Sequence, residues 1–247
     1  MGWSWALFFC QAAVTAGLEA AGCDKAAELT DRGSVPVLSG GSVVHAVFVD
    51  NFAAASTDGK SASHTVGRAT AVLEGFGLGC HEVEDGSPNC EFTGLLFDGE
   101  QRVIRVSGKR IWRLRRAVEH ALAAGRMSGT QMRILIGHYT WVCPLRREAL
   151  SLLSSVYAFV EQAGDRVIPL WSSVRKGLQW MKSLLPLTTH NTHLPWSSTV
   201  HTSDVSLDGY GICSAEWKPS HAALVGRLDE SWRFRAEAAI NARKHAS

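Results

Sequence analysis

The chain has 247 residues, of which 46% are hydrophobic and 19% are charged, so it can bury a substantial core and is not globally disordered. Its formal net charge of +2 is too small to indicate a nucleic-acid partner by itself. Its six cysteines are scattered without close pairs, which excludes a small disulfide-stabilised scaffold and favours reduced thiols in an intracellular protein, in the cytoplasm or the nucleus.

An apolar segment opens the chain. Residues 5–29 are rich in alanine and leucine and predict a helix whose apolar surface another element must cover. The segment has the hydrophobicity of a signal peptide, but no Lys or Arg precedes the apolar run and Gln11 interrupts it early. It is also too short and too polar to span a membrane, so we predict no membrane partner. A secreted protein that uses residues 1–20 as a signal is an alternative interpretation.

Residues 42–52 form the most distinctive segment. They are rich in β-branched residues and follow the break at Gly40-Gly41. We predict a strand over 42–49, a turn at Asp50-Asn51, where both residue types tolerate positive φ, and a partner strand over 52–55. A carboxylate on a rigid turn between hydrophobic strands can be presented to a metal ion. An ordinary surface hairpin is the alternative.

The next elements combine one helix with short strands. Apolar residues at helical spacing predict an amphipathic helix over 63–76, with Ser61 and Ser63 as its candidate caps. Clusters of turn residues then separate three predicted strands, which cover residues 79–83, 91–97 and 102–106.

The pattern then changes to helical periodicity, with predicted helices over 109–124, 130–142, 147–162 and 171–185. The first of these helices carries a basic stripe, and no acid occurs between Glu100 and Glu119. A basic face opposite an apolar one suits docking on a phosphate backbone. The candidate nucleic-acid-binding residues are Lys109, Arg110, Arg113 and Arg116. A solvated helix face is the alternative.

The C-terminal part returns to strands. Residues 190–198 are polar and contain proline, which predicts a linker, and residues 199–203 and 209–215 predict a strand pair. Residues 227–246 have helical potential. Together, these elements predict an α+β protein.

Several segments follow one another in an order that resembles a retroelement reverse transcriptase, from its palm to its RNase H domain. The box Phe48-Val49-Asp50-Asn51 resembles the Tyr/Phe-x-Asp-Asp box of that family. The other matching segments, in chain order, are a palm motif at 1–7, the next palm motif at the helix end 75–78, the primer-grip hairpin at 91–98 and the first RNase H hairpin at 203–211.

The resemblance implies a domain organisation. Residues 1–107 would be a partial palm that lacks the fingers and the first palm motif. Residues 108–189 would be a helical thumb and connection region, residues 190–198 a linker, and residues 199–247 the N-terminal part of an RNase H-like domain with the start of its sheet.

The resemblance also implies Mg²⁺ as cofactor and an RNA/DNA template–primer duplex as partner. Asp50 matches a catalytic metal ligand of the polymerase, and Asp204 matches the first metal carboxylate of RNase H. Asn51 stands where the family has a second carboxylate, and the remaining metal-binding Asp would lie upstream. We therefore expect a fragment of an RNA-directed DNA polymerase that is inactive alone. The alternative is a non-catalytic nucleic-acid-binding remnant that uses helix 109–116.

Overall fold

The computed structural model describes residues 5–30, 33, 35–84, 86–205 and 209–228. These residues form both helices and small antiparallel sheets, so the fold is mixed α+β, which confirms the predicted class. The chain divides into two compact units. The first comprises Met1–Ser87 and Leu194–Ser247, and the second is Pro88–His193. These boundaries differ from residues 107 and 189, where the predicted segments change.

The first unit is built around a helix and a hairpin. Helix α1 (Ala6–Ala20) packs against strand β1 (Val43–Phe48), which pairs with β2 (Asn51–Ser56). The predicted helix over 5–29 is wrong beyond Ala20, because Gly22 adopts a left-handed conformation with φ 77° and only the 3₁₀ turn Lys25–Ala27 follows.

Helix α2 (Gly59–Gly75) packs on both the hairpin and α1. Its N-cap is Asp58, whose carboxylate accepts hydrogen bonds from the Lys60 backbone N–H at 3.1 Å and the Ser61 hydroxyl at 2.7 Å. These bonds, the Ser61 bond first, lower the pKa of Asp58. The helix therefore begins earlier than predicted, and the predicted caps Ser61 and Ser63 are wrong.

The predicted strand over residues 79–83 is also wrong. These residues lie in an irregular connection, and Glu82 has φ 55°, which interrupts any extended run.

The second unit opens with three antiparallel strands, β3 (Asn89–Phe92), β4 (Leu95–Asp98) and β5 (Val103–Val106). The β3–β4 turn is Thr93-Gly94, and both residues have positive φ, as a tight two-residue hairpin loop requires. The single strand predicted over 91–97 is wrong, because the turn at Thr93-Gly94 divides that range between β3 and β4. The strand predicted over 102–106 is confirmed as β5, with a shifted start.

A helical bundle follows and contains the larger core. Its elements are α3 (Gly108–Ala124), β6 (Arg126–Met127), α4 (Gly129–Val142), α5 (Ser154–Ala163), β7 (Ile168–Pro169) and α6 (Ser172–Leu184). The fully buried side chains at its centre include Tyr139, Phe159 and Leu178. The helix predicted from residue 147 is α-helical only from Ser154, because Arg147–Leu153 forms a 3₁₀ segment.

A late strand completes the first sheet of this unit. Strand β8 (Thr189–Asn191) pairs antiparallel with β5, with His190 opposite Ile104. The segment predicted as a linker from residue 190 thus begins in a strand, whose position is set by its partner β5 rather than by its own pattern.

The C-terminal part of the first unit contains the predicted strand pair. Strands β9 (Thr199–Val205) and β10 (Tyr210–Glu216) form a hairpin, and α7 (Pro219–Gly226), which we did not predict, follows. The predicted helical segment 227–246 lies almost wholly outside the described residues, as do residues 1–4 and 206–208 of the resembling motifs.

All six cysteines lie within the described part of the chain, and none of them forms a disulfide bond. Cys143 is buried in the bundle, and burial raises the pKa of its thiol to about 11. Separately, none of the described helices combines the length and hydrophobicity that crossing a lipid bilayer requires.

Candidate functional site

Asp50 lies at the exposed tip of the β1–β2 hairpin. Phe48 and Asn51 are the last paired residues, so the two-residue loop is Val49-Asp50 rather than the predicted Asp50-Asn51. Val49 has φ 60°, a left-handed conformation that is unfavourable for a β-branched side chain. Glycine normally occupies this first loop position. Strain of this kind persists only where surrounding structure enforces it, and it concentrates at functional sites.

The side chain of Gln11 on α1 holds Val49 in this conformation. Its Oε1 accepts a hydrogen bond from the Val49 backbone N–H at 2.6 Å, and its Nε2 donates to the Val47 carbonyl at 3.1 Å. One side-chain amide therefore fixes both sides of the turn that presents Asp50. The sequence contains a signal for this role, because Gln11 is a lone amide within an apolar helix, but it does not show which groups the amide contacts.

Asn51 is directed at its neighbour. Its Nδ2 donates a hydrogen bond to Oδ1 of Asp50 at 3.4 Å. Among the residues that the structure describes, no three His, Cys, Asp or Glu side chains converge to hold a metal ion. Asp50 can offer a hard oxygen ligand to Mg²⁺, but Asn51 adds no negative charge to the site.

Asp204, the second candidate metal ligand, lies on a separate hairpin. It is exposed on β9, opposite Gly211 of β10. The two candidate carboxylates thus belong to different two-stranded sheets of the first unit.

The basic stripe lies on the exposed face of α3. Lys109, Arg113 and Arg116 are exposed, and none of them forms an ion pair with a residue in the described part of the chain. The opposite face buries Leu114 and Val118. The helical spacing predicted this division between a basic and a buried face.

The position of Lys109 within the helix opposes local stability. Lys109 lies in the first turn of α3, which contains no acid. Positive charges near a helix N-terminus interact unfavourably with the helix dipole. A local arrangement that costs stability is expected where a ligand compensates for it, and here the ligand would be an anion.

Arg110 has a different environment from the other three candidates. Its guanidinium carbon lies 3.5 Å from the centroid of the Trp141 ring on α4, and a Cβ at Gly94 would lie 3.2 Å from its Nη1. The side chain therefore connects α3, α4 and the β3–β4 turn. Its stacking on Trp141 was not visible in the sequence, because the two residues are brought together only by the packing of the bundle.

Comparison with known proteins identifies no relative: no protein-family model, curated protein or solved structure matches the chain at a significant level.

Proposed function

We propose that the chain is a fragment of a retroelement reverse transcriptase with the beginning of an RNase H domain, incomplete as a polymerase and able to bind nucleic acid. The Asp50 hairpin carries the proposal, because a carboxylate on a strained, clamped turn is the element that such a polymerase needs at its metal site. The order of the later elements supports it: a second hairpin, a helical bundle and the hairpin of Asp204.

The chemistry that this chain can contribute is limited. RNA-directed polymerisation uses two Mg²⁺ ions, which carboxylate oxygens hold at the primer end. Asp50 would provide one such ligand, and Gln11 would keep it in place through the turn. The amide of Asn51 supplies no second charge, so we expect the chain to lack polymerase activity by itself.

Primer extension tests this expectation. The purified chain is incubated with a poly(rA)–oligo(dT) substrate, dTTP, and Mg²⁺ or Mn²⁺. We expect no incorporation from the chain or from N51D, because the upstream carboxylate is needed as well. Robust incorporation would contradict the claim of incompleteness, and incorporation that survives D50N would contradict the role of Asp50.

The nucleotide sequence upstream of codon 1 tests the assignment itself. A reading frame that encodes fingers and a further palm Asp would support the reverse transcriptase origin. An unrelated upstream frame would contradict it.

The second candidate function is non-catalytic binding to template–primer duplex through α3. The observation that favours it is a group of three exposed cations on one face, Lys109, Arg113 and Arg116, which have no ion-pair partner among the described residues. Each phosphate contact releases a counterion, so the affinity should fall with salt, with a slope of about −2.7 in log–log form for three contacts.

Fluorescence anisotropy with a labelled RNA–DNA duplex measures this slope. The double variant R113E/R116E should bind about tenfold more weakly or worse at moderate salt. The matched control is R166E/K176E, which makes the same change in charge on exposed residues outside α3. Equal losses in the two variants would show that only overall charge matters and would contradict a site on α3.

A further inference from the structure

Trp112 lies within the basic face of α3. It is 60% exposed, although tryptophan is usually largely buried. Lys109 and Arg116 are three and four residues away along the helix and are therefore its neighbours on the helix surface. A large aromatic ring is thus displayed between two exposed cations, with Arg113 beside them.

Arg115 helps to position the ring. Its guanidinium carbon lies 5.4 Å from the centroid of the Trp112 ring, and its Nε donates to Glu119 at 3.2 Å. Glu119 also pairs with Lys182 of α6 at 3.7 Å. The bond to Glu119 holds Arg115 beside Trp112, where its guanidinium can orient the indole.

The chemistry around the ring selects among possible ligands. An apolar protein surface that covered Trp112 would also desolvate Lys109, Arg113 and Arg116, for which no described residue supplies a counter-charge. A nucleic-acid strand satisfies both requirements, because its phosphates pair with the cations and its bases offer flat faces to the ring.

We infer that Trp112 stacks on an unpaired base while Lys109, Arg113 and Arg116 contact the flanking phosphates, so that this face of α3 prefers single-stranded segments to fully paired duplex. In a duplex, the faces of the bases are occupied by their neighbours, and a side chain reaches them only after unstacking. The inference rests on the proposed nucleic-acid binding and specifies its ligand.

Binding of the intact chain to two labelled probes tests the inference. The probes are an oligo(dT) of about 20 nucleotides and a blunt duplex of the same length, since single-strand sites span several nucleotides. W112A should bind oligo(dT) about tenfold more weakly and duplex within about twofold of the unchanged chain. W112F keeps an aromatic face and should recover most of the loss.

The matched control is Y157A, which removes a 48% exposed aromatic residue from α5, away from the basic face. It should leave binding to both probes unchanged. Stacking also has a spectroscopic signature, because oligo(dT) should quench tryptophan emission, and W112F should lose the part of that quenching that comes from Trp112. Circular dichroism verifies that each variant is folded.

The outcomes separate the two proposals. Equal weakening of both probes by W112A, or no weakening of either, would overturn the stacking role and leave nucleic-acid binding intact. If the unchanged chain binds neither probe, the proposed binding function fails, and the inference fails with it.

Discussion

At the residue scale, Gln11 shows how one polar side chain can control a turn. Its amide satisfies one donor and one acceptor of the β1–β2 hairpin, at Val49 and Val47, in a partly buried position. Removing the side chain leaves both backbone groups short of a partner, and it also releases the strained conformation of Val49.

We therefore expect Q11A to lower the free energy of unfolding of the first unit by about 1–3 kcal/mol. Amide hydrogen exchange over residues 43–56 measures the effect at the hairpin. The control is Q162A, an exposed glutamine on α5, which should change stability by less than about 0.5 kcal/mol. Unchanged protection of the hairpin in Q11A would show that the clamp is unimportant.

His45 makes the same hairpin sensitive to pH. It is only 4% exposed, and its ring lies 6.2 Å from that of Phe52. Burial lowers the pKa of His45, which the nearby charges of Glu28 and Asp24 only partly offset. The unfolded state therefore binds the proton more readily than the folded state does. As a result, stability is full above the unfolded pKa of about 6.5 and is lost as the pH falls below it.

We expect the urea midpoint of the first unit to fall between about pH 7.5 and pH 5, and H45L to flatten this dependence. Asp58, whose folded pKa is lowered, acts in a separate window, because its contribution is lost below about pH 4. A midpoint that stays constant from neutral pH to pH 5 would contradict the role of His45.

At the scale of elements, α4 contains two glycines in opposite environments. A Cβ at Gly129 would collide with the Val160 carbonyl and lie 2.8 Å from the Gly164 carbonyl oxygen, whereas a Cβ at Gly137 would meet nothing within 4 Å. Gly129 thus allows the first turn of α4 to approach the end of α5, and Gly137 lies on the solvent side.

G129A should lower the free energy of unfolding of the second unit by about 1–3 kcal/mol, because the backbone must move to admit the methyl group. G137A should raise it by about 0.5–1 kcal/mol, since alanine restricts the unfolded chain. Urea denaturation followed by tryptophan fluorescence compares the two variants. If both variants changed the free energy of unfolding in the same direction, the proposed difference between Gly129 and Gly137 would be wrong.

The elements that the sequence predicted well have a periodic pattern or clear turn residues of their own. Helices α3, α4 and α6 and the β9–β10 pair belong to this group. Strand β8 could not be predicted, because three residues carry no alternation and only pairing with β5 extends them. At the candidate site, the exposed tip at Asp50 and the basic face could be predicted from spacing. The strain at Val49 and the stack of Arg110 on Trp141 could not, because each depends on a contact with a distant segment.

At the scale of the whole molecule, the two units differ in how much core they contain. In the described residues, the large buried cluster lies between Val106 and Leu185, within the second unit. The first unit has a smaller cluster, made of Val14, Leu18, Ala21 and Ala69. Regions with fewer buried apolar contacts open at lower free energy.

We therefore expect residues 88–193, expressed alone, to unfold cooperatively in urea with a midpoint close to that of the second unit in the full chain. In the full chain, the amides of α4 and α5 should resist exchange at urea concentrations where those of the β1–β2 hairpin no longer do. A non-cooperative transition of the isolated segment would contradict its independence.

The position of β8 in the sequence also bears on which unit can fold first during translation. It returns the chain to the sheet in which the second unit began, and Thr192 donates to the Arg102 carbonyl through its backbone N–H at 2.9 Å. The second unit is therefore complete in the nascent chain before β9 and β10 have been translated. The second unit lies between the two halves of the first unit in the sequence. The N-terminal half of the first unit, which carries the exposed rings of Trp5 and Phe8, is therefore translated long before the C-terminal half. In a cell, this early-emerging half would depend most on chaperones.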